Sequence, residues 1–197
     1  MSQYFEENNN LKSNKKLITI KFKEKYYKIY TDSGVFSKDK LDYGTKLLLE
    51  NITEKKLEGN ILDLGCGYGI IGIILASTYP DVSVDMCDIT DRAISLSKEN
   101  KKNLNLSNIN IFKSDIYEGI NKKYNYIITN PPIRAGKDII RKFLLGAKDY
   151  LKENGELWFV MRKDHGVKSM IKELESVYKV EIVEKDKGFY IVKCQIN

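Results

Sequence analysis

From residue 60 to the end of the chain, short apolar runs alternate with segments of helical spacing, and nothing else in the sequence constrains the fold so strongly. The pattern predicts strands over 60–64, 82–87, 110–113, 126–129 and 156–161, and helices over 70–78, 91–103, 137–151 and 167–177. Two further strands, 180–184 and 189–195, flank Lys185-Asp186-Lys187-Gly188, where Asp and Gly suit a tight hairpin turn. Alternating units of this kind lay strands in parallel with helices on both faces. The expected architecture is a doubly wound, mostly parallel α/β sheet of seven strands, closed by an antiparallel C-terminal hairpin.

The first 44 residues read differently. Residues 1–16 are a polar arm. Alternation over 17–22 and 26–30 predicts a small N-terminal β-hairpin, linked by Lys23-Glu24-Lys25. Its outward lysines and tyrosines form either a solvated face or an RNA contact. The loop 32–44 carries a bulky Phe36 among turn-forming residues, which either plugs a small cluster or lies over a ligand. A helix over 45–52 follows, with Leu47, Leu48 and Ile52 on its apolar face. The expected organisation is one domain over 1–197, in which 1–44 supply arm, hairpin and covering loop and 45–197 the core.

Composition narrows the classes. Hydrophobic residues at 42% and charged residues at 30% fit a soluble globular protein. No apolar run reaches the length of a membrane span, and the polar, acidic start does not read as a signal peptide, so a cytoplasmic location is expected. Three widely spaced cysteines without a C-x-x-C pair argue against a disulfide framework, and a single histidine argues against a zinc site, so no metal is expected. The formal charge of +6 favours a polyanionic partner.

In an open α/β sheet, ligands bind beyond the carboxyl ends of the strands. Four such ends carry polar residues here. The first is Asp63-Leu64-Gly65-Cys66-Gly67-Tyr68-Gly69. Gly65 and Gly67 allow a tight turn and close approach of a ligand to the backbone. Asp63, just before the loop, would repel a phosphate and favour a cationic or amino-bearing ligand. Asp88 stands where an acid takes a ribose diol. Asp115 can accept from an adenine amine. Each acid alone is equally well a helix cap, and Asp91 reads as one. Cys66 reads as a small filler between glycines, and His165 as a loop residue without a catalytic role.

The fourth end is Asn130-Pro131-Pro132-Ile133, which holds two of the three prolines. Proline fixes φ, lacks an N–H and pushes the preceding residue toward extended geometry. Asn130 should therefore stand rigidly at a strand tip. Its amide oxygen and the Pro131 carbonyl would then be two acceptors aimed at one point, which suits gripping an –NH₂ group. An ordinary Asn-Pro turn after a strand is the alternative.

These motifs resemble the class I S-adenosylmethionine-dependent methyltransferases. More narrowly, Thr31–Ser37, Asp63–Gly69, Ile71-Gly72, Asn130–Lys137, Gly155–Trp158 and Asp186-Lys187-Gly188 resemble the RsmC-like "methyltransferase small" domain family, over nearly the whole chain. The resemblance implies a Rossmann-like methyltransferase fold and methyl transfer to the exocyclic N2 of a guanine in small-subunit ribosomal RNA, with ribosomal RNA or the small subunit as partner. It implies S-adenosylmethionine as cofactor, held by Asp63, Gly65, Gly67, Asp88 and Asp115. The catalytic set is Asn130, Pro131, Pro132 and Ile133, because the target amine would be gripped there.

Related enzymes acting on adenine N6 or glutamine often have an aromatic residue where this chain has Ile133, and Phe36 is expected to supply that wall. Arg134 and Lys137 flank the expected pocket mouth as phosphate contacts, while Lys38, Lys40, Arg162 and Lys163 share the rim, as phosphate contacts or as solvated surface. Competing readings are methylation of a transfer RNA guanine, an adenine N6 or a glutamine N5, a non-catalytic RNA-binding module, and a nucleotide-dependent oxidoreductase. The last explains neither Asn-Pro-Pro-Ile nor Asp63.

Overall fold

The computed structural model describes residues 12–33 and 40–196. Phe36, Lys38 and the rest of the Gly34–Asp39 loop lie outside the described residues, as does the Asn-rich start of the arm.

The chain opens with strands β1 (Lys16–Phe22) and β2 (Lys25–Thr31), an antiparallel hairpin that forms its own two-stranded sheet. Helix α1 (Tyr43–Ile52) leads into the core: β3 (Asn60–Leu64), α2 (Ile70–Thr78), β4 (Ser83–Asp88), α3 (Asp91–Asn103), β5 (Ile109–Lys113) and β6 (Tyr124–Thr129). A short 3-10 turn (Ile133–Ala135) precedes α4 (Lys137–Gly146). Then come β7 (Leu151–Arg162), α5 (Val167–Leu174), β8 (Tyr178–Asp186) and β9 (Phe189–Ile196).

The main sheet has seven strands in the order β5-β4-β3-β6-β7-β9-β8. Neighbours from β5 to β7 are parallel, and β9 runs antiparallel to both β7 and β8. The chain builds outward from β3 to β5, then returns to lay β6 on the other side of β3. The strand order reverses there, so the carboxyl ends of β3 and β6 border the crevice where such sheets take ligands.

Successive strand residues point to opposite faces, and the core divides accordingly. Ile61, Ile128, Trp158 and Val160 pack with α1, α2 and the hairpin, while Leu62, Ile127, Leu157 and Phe159 pack with α4 and α5. A sheet covered on both faces demands near-continuous apolar strands, which is why these runs were legible.

Three boundaries differ from the sequence reading by three residues or more. The helix expected over 137–151 ends at Gly146 and continues as a 3-10 turn, and β7 begins at Leu151 rather than 156. Leu151 pairs with Tyr124, but pairing resumes only at Glu156 with Tyr126, so the residues between bulge out. Asn154 sits at φ 61° in that bulge, and Gly155 lies so close to the Tyr124 and Lys152 carbonyls that a Cβ would be 3.0 and 2.9 Å from them. Helix α5 stops at Leu174, where Ser176 and Val177 turn back onto the Glu173 and Leu174 carbonyls. The cap of α3 is Thr90, whose Oγ1 accepts from the Ala93 N–H; Asp91 instead pairs with Lys113 at 2.8 Å.

Among the described residues no helix is long and apolar enough to cross a membrane, and no group of three His, Cys, Asp or Glu side chains could hold a metal ion.

Candidate active site

The loop after β3 is fixed by its neighbours before any ligand arrives. Gly65 and Cys66 both donate to the Cys87 carbonyl at 2.9 Å. The Gly67 N–H donates to Asp88 Oδ2 at 3.0 Å, and the Gly67 carbonyl accepts from Ser97 Oγ at 2.9 Å. Asn100, fully buried on α3, gives its Nδ2 to the Tyr68 carbonyl and to the Tyr30 carbonyl, both at 2.9 Å, and takes the Tyr30 N–H on Oδ1 at 2.7 Å. One side chain thus ties the N-terminal hairpin to the glycine loop. At Gly67 the backbone is left-handed (φ 57°), and a Cβ there would meet no atom within 4 Å. The loop turns a bare stretch of backbone toward open space, where a ligand can lie flat against it.

The acids differ in placement. Asp63 is fully buried beneath the loop rather than at its mouth. Its Oδ2 accepts the Gly72 N–H at 2.8 Å, and its Oδ1 has no hydrogen-bond partner among the described residues. Burial pushes this carboxyl up to about 7, opposed by the Gly72 N–H and helped by the charge of Asp88. An unpartnered buried carboxylate oxygen is costly, and a cationic group above the loop would offset that cost. Asp88 ends β4 half-buried: Oδ1 accepts the Thr90 N–H and hydroxyl, each at 3.0 Å, while Oδ2 braces Gly67. Burial raises it, against those hydrogen bonds. Asp115 is exposed at the end of the neighbouring β5, which is joined to β4 by the Ser114 N–H to the Asp88 carbonyl at 3.0 Å. Cys66 is buried, its thiol 3.6 Å from Ser97 Oγ, as expected of a filler.

Asn130 follows β6 directly, and Thr129 Oγ1 bonds the Leu64 carbonyl at 2.8 Å, which locks the two strand ends together. The Asn130 Nδ2 donates to Thr45 Oγ1 at 2.9 Å, with Asp42 Oδ2 at 3.4 Å. Asp42 caps α1, its Oδ2 accepting the Thr45 N–H at 2.9 Å. The donor end of the amide is therefore taken up by the start of α1. Its acceptor end, Oδ1, receives nothing from the described residues, and neither does the Pro131 carbonyl; the Pro132 carbonyl is bonded by Ala135 at 2.9 Å. Pro131 is buried, and Ile133 packs against the α4 side of the core. Asp42 and Thr45 were absent from the expected site. The Asp-x-x-Thr spacing is an N-cap signal, but nothing local says that the cap also holds Asn130.

The rim is basic but mostly engaged. Arg134 is exposed, with no ion pair among the described residues. Lys137 pairs with Glu173 at 2.9 Å, and Arg141 shares that carboxylate at 2.8 Å. Arg162 bonds Asp164 at 3.0 Å, and Lys40 and Lys163 are exposed. His165 ends the 3-10 turn that begins at Lys163, and it is exposed. Tyr43 and Phe189, which the sequence did not single out, meet at this edge with ring centroids 5.7 Å apart.

This sheet order, with a glycine loop after its first strand and a C-terminal antiparallel hairpin, is the Rossmann-like methyltransferase fold. Residues 26–193 match the family model described as Methyltransferase small domain, and the chain belongs to that family. It is 40% identical over 195 residues to the Bacillus subtilis protein named YbxB, covering 98% of this chain and 97% of that one. It is 31% identical over 165 residues to ribosomal RNA small subunit methyltransferase C of Psychromonas ingrahamii, covering 82% of this chain and 46% of the relative. Among solved structures, the Thermus thermophilus 16S rRNA N2 G1207 methyltransferase (RsmC), in complex with AdoMet and guanosine, superposes with a TM-score of 0.83 at 21% identity, over 95% of this chain and 52% of that one. The chain spans about half the length of these RsmC relatives.

Proposed function

We propose that this chain is an S-adenosylmethionine-dependent RNA methyltransferase that modifies the exocyclic N2 amine of a guanine in small-subunit ribosomal RNA. Family membership and the names of the RsmC relatives support the reading. The observation that carries it is the Asn130 amide, whose donor end is held by Thr45 and Asp42 so that its oxygen and the Pro131 carbonyl are left as acceptors at the β6 tip.

The residues present fit the cofactor. The bare Gly67 backbone suits close contact, the unpartnered Asp63 oxygen supplies a field that favours an ammonium group, and Asp88 and Asp115 are the acceptors for ribose hydroxyls and an adenine amine. When bound, the cofactor supplies an electrophilic methyl on a sulfonium. The chain's own work is positioning. Asn130 Oδ1 and the Pro131 carbonyl accept the two N–H bonds of the target amine, which turns its lone pair away from the ring system. They also stabilise the positive charge that develops on that nitrogen. Neither carbonyl is basic enough to remove the proton, which leaves to water. In this reading the chain acts as one cytoplasmic domain, with Arg134 and Lys137 toward RNA phosphates.

The test offers methyl-labelled S-adenosylmethionine with unmodified small ribosomal subunits, free ribosomal RNA, transfer RNA and DNA, and digests the products to nucleosides. Label in N2-methylguanosine from small-subunit RNA is expected. Label in another nucleoside or in transfer RNA overturns the substrate, and no label with intact cofactor binding overturns the reaction.

A further inference from the structure

Phe189 opens β9, where it pairs with Arg162 at the end of β7. Since β7 is parallel to β6, this places Phe189 at the same edge of the sheet as Asn130. Its ring lies against Gly44: a Cβ there would be 2.7 Å from the ring and 3.2 Å from Asp42 Oδ2. That same oxygen is 3.4 Å from Asn130 Nδ2, so the ring stands one residue away from the amide. Tyr43 is tilted 50° against Phe189, and its hydroxyl donates to Asp186. The β8–β9 turn thereby fixes the pair from one side and α1 from the other.

Both rings are only half-buried, and each lies under a cation. The Arg162 guanidinium is 5.2 Å from the Phe189 centroid, and the Lys187 ammonium is 4.5 Å from the Tyr43 centroid. Arg162 and Lys187 are themselves exposed. Core packing would explain two rings with apolar neighbours. It does not call for two cations over them at the ligand edge of the sheet. RNA recognition uses this combination: unpaired bases stack on aromatic rings or guanidinium groups while cations meet the backbone.

We propose that Phe189 and Tyr43, with Arg162 and Lys187, form a nucleotide-binding shelf beside Asn130, on which an unstacked RNA base rests while Lys187 meets its phosphate. The proposal rests on the RNA reading above and adds to it the residues that present the base. Phe189 with Arg162 provides the stacking surface. Tyr43 props Phe189, and Lys187 contacts phosphate.

The test measures binding of unmodified small ribosomal subunits and of a single-stranded RNA oligonucleotide, with cofactor affinity and thermal stability read on the same samples. Phe189→Ala and Arg162→Ala should each weaken RNA binding about tenfold, the scale of one lost base stack, with cofactor affinity unchanged. Phe189→Tyr should restore it. Lys187→Ala should weaken binding and lower the salt-dependence slope by about one phosphate contact. RNA binding that is unchanged in Arg162→Ala and Lys187→Ala overturns the shelf, as does a Phe189→Ala protein that loses cofactor along with RNA. Should Phe189→Ala fail to fold, the two exposed cations decide. A wild-type chain that binds RNA through these residues yet labels no nucleoside sinks the methylation reading and leaves the shelf standing. Labelled guanosine with variants that all behave as wild type does the reverse, and a wild-type chain that binds no RNA overturns both.

Discussion

The two strand ends that meet at this site are built in opposite ways. At the end of β3 the proposed binding surface is the backbone itself, and side chains from β4 and α3 hold it from behind: Asp88, Ser97 and Asn100. At the end of β6 the surface is one side-chain amide on a proline-stiffened tip, tethered through Thr45 to the start of another helix. The first arrangement is redundant and insensitive to any single contact at the ligand. The second concentrates its chemistry in one group. Damage to the β3 side should therefore appear as lost stability and cofactor affinity, and damage to the β6 side as lost turnover.

The sharpest break in that contrast is Asn130→Ala. Removing one preorganised acceptor should lower kcat about 10²- to 10³-fold, on the scale of losing an oxyanion-hole donor, with cofactor affinity measured by calorimetry unchanged. A parallel fall in affinity would erase the distinction between the two ends. On the other side, Asn100→Ala strands the Tyr30 N–H and the Tyr30 and Tyr68 carbonyls. It should cost about 1–3 kcal/mol in denaturant unfolding and weaken cofactor binding, while kcat at saturating cofactor stays near wild type.

Thr45→Val frees the Asn130 amide to rotate while keeping the helix shape. It should reduce kcat about five- to tenfold, the scale of one neutral hydrogen bond, and leave the melting temperature little changed. Asp63 sharpens the comparison through pH. Its folded-state value is about 7, above the ordinary 3.8, so the folded state favours the protonated form. Stability is then lost as pH rises between those values, because the unfolded chain has already released this proton. The melting temperature of Asp63→Asn relative to wild type should therefore climb from pH 5 to pH 8. Cofactor affinity of the wild type should also climb over that range, as the ionised carboxylate comes to favour a cation. The smallest effect is expected from Glu173→Gln, which loosens Lys137 and Arg141 on the surface and should leave the melting temperature almost unchanged.

What the sequence made legible was whatever is encoded locally. Strands β3 and β6 are largely apolar runs because both faces of the sheet are covered. The glycine loop and the Asn-Pro-Pro tip announce themselves through residues with unusual backbone rules. The bulge that starts β7 at Leu151 was missed because Lys152–Gly155 reads as the connection between a helix and a strand and becomes a strand irregularity only when Tyr124 lies alongside. The holders of the site were missed for a related reason. Thr45 is 85 residues from Asn130, and Tyr30 is 70 from Asn100, so each pairing is a product of the topology. Asp63 was read as a ligand contact from its place before the glycine loop and from the family resemblance. Its burial depends on α2 lying across it, which no local pattern reports.

Asn100 has a practical consequence for dissecting this protein. Every residue proposed to hold the cofactor lies after residue 60, so a fragment beginning at Thr45 would look sufficient on paper. That fragment would leave a buried amide on α3 facing the gap where β2 had been, with two of its three hydrogen bonds broken. The amide would keep only its bond to the Tyr68 carbonyl and would no longer be fixed from the hairpin side. The hairpin is thus a foundation stone laid outside the footprint of the room it supports, and excision of it should be felt first in the glycine loop.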